Sequence, residues 1–418
     1  MIENVKICVV GLGYVGLPLL VALSRHFTVM GLDNDAVKLR ALKSGSDVTG
    51  ELSADELMLI KNIDLVDNLK GISDVNFFIV TVPTPITLDN KPDLNPLISA
   101  TTEIAENMCS GCTIVYESTV YPGVTEEICQ PIIEEITNLK LNSGFWLGYS
   151  PERINPSDKL HKISDIVKVI SGSDQTALEL IKGVYSKIIS AGLHIAPSIK
   201  VAEASKVIEN AQRDVNIAFM NELTMIFERL NISIFDVLDA AKTKWNFLDF
   251  YPGLVGGHCI SVDPYYLTYK SKESGFIPDM LLSARHVNES MADFLVNVLI
   301  NQFIDKEINI KKSRIAILGL TFKENCPDVR NSKSVEVYQK LEKFGGHIDL
   351  IDPYIDKLGP ENVYSSIPSS NYDAIVLLVN HDEFSKHTLE YFESALNKPN
   401  GFILDLKNKF MKNRLLLN

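Results

Sequence analysis

The sequence predicts an α/β protein with two doubly wound parallel-sheet domains joined by a central region of long helices. Short apolar runs alternate with helical segments through the first half of the chain, as strands of a parallel sheet alternate with covering helices. Longer segments with helical periodicity follow, and strand-like runs return near the C-terminus. A chain of 418 residues is long enough for two or three such domains.

The first sheet is predicted from apolar runs that are each short enough to be one buried strand. Turn or helical residues separate each run from the next. The runs are residues 6–10, 28–32, 75–82, 113–117, 145–149 and 166–170. We therefore assign residues 1–200 to the first domain.

Two long helices are predicted in the middle of the chain. Apolar residues recur every three or four positions from residue 201 to 231, and residues 283–303 have the same helical character. The first helix carries more apolar surface than one chain can cover, so we expect a homodimer or a higher homo-oligomer. The polar stretch 305–313 marks a boundary, and we assign residues 201–305 to a central helical region.

A second α/β domain is predicted over residues 306–418. Strand-like runs return after the polar stretch, at residues 314–318, 348–351, 374–379 and 402–406. Because this pattern repeats that of the first domain, we expect the two α/β domains to be structural relatives.

Composition and charge exclude several classes of protein. The content of 46% hydrophobic residues is that of a globular protein, and the net charge of −13 argues against a nucleic-acid partner. Six cysteines without a framework spacing, among them Cys109 and Cys112, are typical of cytosolic thiols and not of a metal site. Residues 7–24 carry no charge, but three glycines and Pro18 argue against a membrane helix. We expect a cytoplasmic protein with no membrane segment and no metal.

A dinucleotide-binding fingerprint of the Rossmann type follows the first predicted strand. In GLGYVG, Gly11 makes the tight turn, Gly13 lets the backbone approach a pyrophosphate, and Gly16 lets the next helix pack close to the sheet. Asp33 ends the second strand, where its carboxylate would accept hydrogen bonds from a ribose diol and repel a 2′-phosphate. The glycines alone also suit FAD or a methyl donor, but together with Asp33 and a later cysteine they predict NAD.

That cysteine, Cys259, lies in a glycine-rich turn, and Asp263 follows four residues later. A free cysteine is most often a small buried hydrophobe. Here the flanking glycines would allow close approach by a ligand, and His258 would favour a thiolate. A thiol beside a nicotinamide could trap an aldehyde and release a second hydride, which would oxidise an alcohol to a carboxylate. Asp263 is either a turn residue or a group that positions a water or an ammonium.

One helical stripe carries Glu203, Lys206 and Asn210. A solvated polar face is the more common explanation of such a stripe. However, Arg213 and Asn221 extend the polar groups along an otherwise apolar helix. A lysine and an amide facing a cleft would stabilise the oxyanion of a carbonyl or a thiohemiacetal.

Seven features occur in one order along the chain. They are GLGYVG at 11–16, VPTP at 82–85, ESTVYPG at 117–123, YSPERINP at 149–156, the helix with Lys206 and Asn210, GGHCISVDPYY at 256–266 and GLTFKENCPDVRNS at 319–332. Together they resemble the UDP-glucose/GDP-mannose dehydrogenase family over nearly the whole chain. The resemblance implies an N-terminal NAD domain, a central dimerisation region and a C-terminal domain for the nucleotide sugar. The implied reaction oxidises C6 of a nucleotide-linked hexose to a uronate and reduces two NAD⁺.

The resemblance also implies catalytic roles for single residues. Cys259 would be the nucleophile, while Lys206 and Asn210 would stabilise the oxyanion. Asp263 would support Lys206 or an ordered water. Glu152 would be the base for thioester hydrolysis.

Further residues are assigned to ligand contacts by the same resemblance. Thr119 is expected near both nicotinamide and substrate and is counted among the catalytic residues as well, although on its own it would be an ordinary turn hydroxyl. The implied cofactor contacts are Gly11, Gly13, Tyr14, Val15, Gly16, Asp33, Lys38, Thr84, Thr119 and Arg330. The implied substrate contacts are Arg153, Ile154, Lys206, Asn210, Arg213, Phe250, Tyr251, Gly256 and Lys323.

The sugar is predicted from two loops. The SPERINP loop and the aromatic loop around Phe250 and Tyr251 resemble those of enzymes that act on UDP-N-acetylhexosamines and make acidic amino sugars for capsules or O-antigens. UDP-glucose enzymes carry an arginine in the corresponding loop, where this chain has Lys242 and Lys244. UDP-GlcNAc is therefore the predicted substrate, UDP-GalNAc and UDP-ManNAc are the next candidates, and UDP-glucose is the last.

Two other functions stay open from the sequence. A two-electron hydroxyacid dehydrogenase can share the N-terminal fold and the Lys-x-x-x-Asn helix, but it explains neither Cys259 nor the second α/β domain. A non-catalytic NAD-binding scaffold would reduce no NAD⁺ with any UDP-sugar.

Overall fold

The computed structural model describes residues 4–47, 49–72, 74–154, 163–368 and 370–410. The described residues form two compact units. The first comprises those of Met1–Glu209 and Tyr265–Phe276, and the second those of Asn210–Pro264 and Ile277–Asn418. The predicted division into three segments at residues 200 and 305 stays a prediction. Asn155 and Pro156, which end the YSPERINP motif, lie outside the described residues.

A sheet of eight strands, counted over the described residues, forms the centre of the first unit. Its strands are β1 (Lys6–Val10), β2 (Thr28–Leu32), β3 (Asp64–Val66), β4 (Phe77–Val80), β5 (Cys112–Tyr116), β6 (Phe145–Tyr149), β7 (Lys168–Gly172) and β8 (Leu193–Ile195). Their spatial order is β3-β2-β1-β4-β5-β6-β7-β8. This order is doubly wound, as predicted, and the direction of winding reverses between β1 and β4, where such sheets bind ligands.

One strand pair in this sheet departs from the prediction of a parallel sheet. β6 and β7 are antiparallel, with Gly148 opposite Gly172 and Tyr149 opposite Ser171. The connection from β6 to β7 therefore returns along the sheet instead of crossing over it. As a consequence, β7 starts at the same sheet edge at which β5 and β6 end.

Helices cover both faces of the first sheet. They are α1 (Gly16–Ser24), α2 (Ala36–Ser44), α3 (Ala54–Ile60), α4 (Asn95–Asn107), α5 (Gln130–Thr137) and α6 (Gln175–Tyr185), with a π-helical turn, Thr125–Cys129, before α5. The apolar faces of α1, α2, α3 and α6 and the strands share one core, which includes Ile7, Leu17, Phe77 and Ile181. Local chemistry fixes the helix ends: Asp35 accepts the first N–H groups of α2, and that helix stops at Gly45, whose φ is 86°.

The helices of the central region are α7 (Ile199–Arg229), α8 (Ile234–Ala241), α9 (Asp263–Glu273) and α10 (Asp279–Asp305). α7 and α10 lie close to where the periodicity predicted long helices. Large apolar side chains on α7 stay exposed within the single chain, among them Ile208 at 53%, Phe219 at 52% and Ile226 at 42%. Within the part of the chain that the structure describes, none of the helices has the length and apolar character that crossing a membrane requires.

The second unit is built around a sheet of six strands among its described residues. They are β9 (Arg314–Leu318), β10 (His347–Ile351), β11 (Lys357–Leu358), β12 (Glu361–Tyr364), β13 (Ala374–Leu377) and β14 (Phe402–Asp405), with α11 (Lys333–Glu342), α12 (Asp382–Ser385) and α13 (Leu389–Ser394). The order is β11-β12-β10-β9-β13-β14, and only the short β11–β12 pair of these described strands is antiparallel. Successive residues of β9 enter different cores, Ile315 and Ile317 on one side and Ala316 and Leu318 on the other, so both faces of the sheet are covered.

The two α/β units share the plan of their first loop, which supports the predicted relationship between them. In the first unit, Gly11 N donates to Leu32 O, and Leu12 N donates to Asp33 Oδ2, both at 2.8 Å. In the second, Gly319 N donates to Ile351 O, and Leu320 N donates to Asp352 Oδ2, again at 2.8 Å. A carboxylate at the end of the second strand thus fixes the loop after the first strand in each unit.

Candidate active site

Two glycines of the glycine-rich turn in the first unit cannot be replaced without strain, one because of its backbone conformation and one because of its close neighbours. Gly11 has a φ of 94°, which favours glycine. A Cβ on Gly16 would lie 1.9 Å from Gly11 O and 2.4 Å from Thr81 Oγ1. A Cβ on Gly13 would meet nothing within 4 Å, so open space adjoins the turn at the start of α1. This is the space that a pyrophosphate needs beside a helix N-terminus.

Asp33 closes this turn from the end of β2. Its Oδ1 accepts from Asp35 N at 2.9 Å, and its Oδ2 accepts from Leu12 N and from Lys38 Nζ, the latter at 2.7 Å. The carboxylate is buried, and its partners orient it before any ribose arrives. The predicted cofactor contacts Asp33 and Lys38 are therefore one ion pair beside the turn.

The loops after β4 and β5 are joined to each other at the same sheet edge. Ser118 Oγ donates to Val82 O at 2.7 Å, which ties the loop carrying Thr119 to the loop carrying Thr84. The carbonyl oxygen of Thr84 also accepts from Tyr266 Oη at 2.8 Å. The two predicted threonines are thus held on loops that follow neighbouring strands.

Glu152 lies just beyond β6 and is buried among charged groups. Its Oε1 accepts from Arg153 N at 2.6 Å and from Ile154 N. Its Oε2 accepts from Lys168 Nζ at 3.4 Å. Arg153 in turn binds Glu209 with Nε at 2.9 Å and donates from Nη1 to Val167 O at 2.8 Å. Arg153, a predicted substrate contact, is thus already engaged within its own unit.

The polar stripe on α7 is buried, so the explanation of a solvated face is wrong. Glu203 is 0% exposed, and Lys206 and Asn210 are each 8% exposed. Glu203 accepts from Thr125 N at 2.9 Å and from Gly123 N at 2.5 Å, and it therefore caps the start of the π-helical turn. Burial raises the pKa of the Glu203 carboxyl to about 7, although those N–H groups favour its ionised form.

Asn210 and Asp263 are hydrogen-bonded to each other in the second unit. Asn210 Nδ2 donates to Asp263 Oδ2 at 2.6 Å, and Asp263, at the start of α9, is 3% exposed. The bond fixes the amide with its Nδ2 on the carboxylate and its oxygen turned away. Asp263 is therefore more than a turn residue, because it orients Asn210, which is predicted to stabilise the oxyanion.

Asn221 contributes to structure, which the sequence did not distinguish from a site role. Its Nδ2 donates to Gly253 O at 3.0 Å and to Asn288 Oδ1 at 2.8 Å, and the side chain is fully buried. Arg213, on the same helix, is exposed. The polar residues beyond Asn210 on α7 thus have different surroundings.

The turn that carries Cys259 is shaped by its own chain. A Cβ on Gly256 would lie 2.5 Å from Asn331 O, and one on Gly257, whose φ is 85°, would lie 2.6 Å from Phe322. These glycines therefore make room for the protein's own Asn331 and Phe322, and whether they also let a ligand approach Cys259 stays a prediction. Cys259 itself is exposed and lies outside any disulfide. His258 Nε2 lies 3.6 Å from Asp328 Oδ2, so its imidazole faces a carboxylate.

The remaining predicted contacts of the second unit lie on two loops. Phe250 packs partly against the small core around α8, whereas Tyr251 is exposed with the Lys242 ammonium 4.0 Å above its ring. Lys323 follows β9, where its carbonyl oxygen accepts from Thr321 Oγ1 at 2.9 Å. Arg330 Nη2 binds Asp328 Oδ2 at 2.6 Å. Whether these residues contact ligands stays a prediction.

The sequence reasoning missed three residues that surround Glu152, namely Glu117, Lys168 and Tyr185. Lys168 Nζ donates to Glu117 Oε2 at 2.7 Å, and Tyr185 Oη donates to Glu117 Oε1. All three side chains are buried. The available signal was a lysine inside the apolar run 166–170, which is unusual for a strand buried on both faces.

Comparison with known proteins identifies the chain's family. Residues 5–189 match the NAD binding domain, residues 200–290 the central domain and residues 316–412 the UDP binding domain of one family, the UDP-glucose/GDP-mannose dehydrogenases. The chain belongs to this family. It is therefore an NAD-dependent UDP-sugar dehydrogenase and not a non-catalytic scaffold.

Individual relatives agree with this family assignment. The chain is 47% identical over 411 residues to UDP-N-acetyl-D-glucosamine 6-dehydrogenase of Salmonella typhi, covering 97% of this chain and 96% of the relative. It is 45% identical over 410 residues to the enzyme of the same name from Pseudomonas aeruginosa, covering 97% of each. The solved structure of UDP-D-ManNAc dehydrogenase from Pyrococcus horikoshii matches with a TM-score of 0.88 at 27% identity, over 97% of this chain and 96% of that one.

Substitution of the turn glycines is expected to separate folding from NAD binding. Gly16→Ala should destabilise the UDP-sugar dehydrogenase by about 1–3 kcal/mol, because its methyl group would overlap Gly11 O. Gly13→Ala, the matched control, should keep the melting temperature but weaken NAD binding, since its methyl group enters the open space beside the turn. Thermal melting and NAD titration of both variants test this. Equal melting temperatures for the two variants would contradict the expected overlap.

Proposed function

We propose that this enzyme oxidises C6 of UDP-N-acetylglucosamine to the carboxylate, forming the UDP-N-acetylhexosaminuronate. The observation that supports this substrate most directly is the similarity, at 47% identity over 97% of the chain, to a UDP-N-acetyl-D-glucosamine 6-dehydrogenase. The lysines Lys242 and Lys244, where UDP-glucose enzymes are expected to carry an arginine, also favour an acetamido sugar. UDP-GalNAc, UDP-ManNAc and UDP-glucose are the alternatives, in that order.

The proposed route to the carboxylate passes through a covalent bond to Cys259. NAD, when bound, would supply the acceptor for two hydrides from C6. The first would leave together with the hydroxyl proton of the alcohol and give the aldehyde, and the second would leave from the sulfur adduct. Between these steps the Cys259 sulfur adds to the aldehyde carbon, and the carbonyl oxygen becomes the hydroxyl of a thiohemiacetal. Loss of the second hydride and of the hydroxyl proton leaves a thioester. The role of nucleophile is supported by the exposure of the Cys259 thiol, which lies on a turn packed against Asn331 and Phe322.

Lys206 and Asn210 are proposed to stabilise the oxygen of these adducts. Both side chains are buried, so a hydrogen bond or charge there is less screened than in water. Asp263 fixes the Asn210 amide by the bond at 2.6 Å. Thr119 and Arg330 are proposed to contact NAD, and Lys323, Arg213, Phe250 and Tyr251 to contact the UDP-sugar.

Glu152 is proposed to activate the water that hydrolyses the thioester. The carboxylate takes a proton from water as the water oxygen adds to the thioester carbon. The C–S bond then breaks, its electron pair returns to the Cys259 sulfur, and the uronate leaves. For this role Glu152 must be ionised. Burial disfavours its charge, but the Lys168 ammonium and the Ile154 N–H group hold the pKa of this carboxyl below its ordinary value.

We further propose that the enzyme works as a homodimer or a higher homo-oligomer in the cytoplasm. The exposed apolar residues of α7, such as Phe219 and Ile226, support this proposal, because a second copy of the chain would bury them. A product that is an acidic amino sugar on UDP suits the synthesis of capsule or O-antigen polysaccharides. A monomeric mass by light scattering at working concentration would contradict the oligomer.

A substrate panel tests the proposed function. With NAD⁺ and UDP-GlcNAc, UDP-GalNAc, UDP-ManNAc or UDP-glucose, kcat/KM is expected to be highest for UDP-GlcNAc, by roughly tenfold or more over UDP-glucose. Each uronate formed should be accompanied by two NADH. One NADH per sugar would indicate a two-electron alcohol dehydrogenase, and a higher kcat/KM for another sugar would overturn the choice of UDP-GlcNAc.

A further inference from the structure

A buried lysine lies between Glu152 and a second carboxylate. The Lys168 side chain is 4% exposed, and those of Glu117 and Glu152 are 0% and 9% exposed. Its ammonium lies 2.7 Å from Glu117 Oε2 and 3.4 Å from Glu152 Oε2. An ammonium and two carboxylates taken out of water are stable only if they pair closely, so the three groups must act as one cluster.

The antiparallel β6–β7 pair explains how Lys168 reaches this position. Parallel strands bring only their C-terminal ends to the edge at which ligands bind. β7 runs in the opposite direction to β6, so its first residue, Lys168, lies at that edge. The register pairs Tyr149 with Ser171, and continued three residues beyond Tyr149 it sets Glu152 opposite Lys168. The reversal of one strand thus places a cation beside the proposed base.

Glu117 and Tyr185 hold the ammonium on its other side. Tyr185, on α6, is fully buried; its hydroxyl donates to Glu117 Oε1, and the Lys168 ammonium lies 5.6 Å from the centre of its ring. Glu117 follows β5, and its backbone N–H donates to Val80 O at 2.8 Å. Lys168 therefore has little freedom to leave Glu152.

The charges of the cluster are unevenly distributed between the two carboxyl groups. Burial raises the pKa of Glu117 to about 7, although Lys168 opposes this, and the neighbouring Glu152 adds to it. For Glu152, burial is outweighed by the Lys168 ammonium, the Ile154 N–H group and the Lys206 ammonium, so its pKa is lowered. Of the two carboxyl groups, Glu117 therefore takes up a proton first, and Glu152 stays ionised.

We propose that Lys168 is a positioning residue for thioester hydrolysis, which it serves by holding Glu152 as the ionised base while Glu117 and Tyr185 hold Lys168. The inference rests on the proposed role of Glu152. A base acts only when ionised, so hydrolysis is lost as the pH falls through the pKa of Glu152. Removing the cation should move that loss to higher pH. Replacing Glu117 by glutamine should leave it in place, because Glu117 is already protonated where Glu152 titrates.

The test follows the decay of the acyl-enzyme after a single turnover with UDP-GlcNAc and NAD⁺ across pH, by acid quench and intact mass. Lys168→Met is expected to slow the decay about tenfold or more near neutral pH and to shift its acid limb upward by about one pH unit or more. Lys168→Arg, which keeps the cation, should restore much of the rate. Glu117→Gln should leave the position of the acid limb unchanged, since Glu117 is already neutral at the pH at which Glu152 takes up its proton. Lys140→Met, at an exposed ion pair with Glu134, is the control that should leave the profile unchanged.

Each outcome decides the proposal. A wild-type pH profile in Lys168→Met would overturn it. So would an acid limb in Glu117→Gln that moves upward as far as that of Lys168→Met, since Glu117 would then be the group that keeps Glu152 ionised. If Lys168→Met does not fold, Lys168→Gln gives the decision, because its amide is neutral but can still donate to the carboxylates: an upward shift of the acid limb supports the proposal and a wild-type limb overturns it. Glu152→Gln separates this inference from the proposed function. If Glu152→Gln hydrolyses its acyl-enzyme at the wild-type rate, Glu152 is not the base. If Glu152→Gln hydrolyses it slowly while Lys168→Met has a wild-type pH profile, only the role of Lys168 is overturned.

Discussion

Cys259→Ser is expected to lower the rate of uronate formation by roughly 10³-fold or more. A serine hydroxyl stays protonated at neutral pH and is a poorer nucleophile than a thiolate, so the aldehyde is not captured and the second oxidation fails. The measurement is uronate formed per unit time from UDP-GlcNAc and NAD⁺, quantified by anion-exchange chromatography.

The variant should keep its fold and its cofactor. Cys259 is exposed, so its replacement by serine should change the free energy of unfolding by about 0.5 kcal/mol or less. NAD affinity should be unchanged, because the substitution leaves the glycine turn and Asp33, which are predicted to hold NAD, intact. Cys109→Ser, another exposed thiol, is the matched control and should retain full activity. Turnover of Cys259→Ser at the wild-type rate would refute the covalent route.

Glu152→Gln is expected to stop the enzyme after both oxidations. The amide cannot take a proton from water, and loss of a general base of this kind typically costs 10²–10⁴-fold in rate, so kcat should fall by about that factor. Both hydride transfers precede hydrolysis and should still occur. Rapid mixing with NAD⁺ and UDP-GlcNAc should therefore give a burst of two NADH per subunit, followed by slow turnover.

Comparison with a distant carboxylate controls for general effects of charge removal. Glu134→Gln removes a carboxylate that pairs with exposed Lys140, so it should show steady turnover without a burst. A burst of one NADH in Glu152→Gln would instead indicate that this residue serves an oxidation step. Wild-type kcat in the variant would exclude Glu152 as the base.

Periodicity predicted the main strands and helices because burial leaves a local pattern in the sequence. β1 and β9 have the bounds that their apolar runs predicted, and α7 begins and ends within two residues of its prediction. The short edge strands β3 and β11 were not predicted, since two or three residues carry no pattern. The direction of β7 was also missed, because alternation of side chains is the same for parallel and antiparallel neighbours.

The candidate site was predictable where a residue's role depends on local geometry. The fingerprint glycines have the crowding and the open space that a dinucleotide turn requires, and Asp33 lies at the end of β2 as expected. Roles that depend on distant parts of the chain were missed. Gly256 and Gly257 make room for Asn331 and Phe322, which follow more than sixty residues later in the chain. Lys168 lies beside Glu152 only because its strand is antiparallel to β6.

The mass of the Cys259 peptide after a quenched reaction tests the central claim most directly. Glu152→Gln is mixed with NAD⁺ and UDP-GlcNAc, quenched in acid within the burst, digested and analysed by mass spectrometry. The account predicts that the peptide carrying Cys259 gains the mass of the sugar nucleotide at the oxidation level of a thioester. An unmodified Cys259 peptide alongside a full burst of NADH would contradict it.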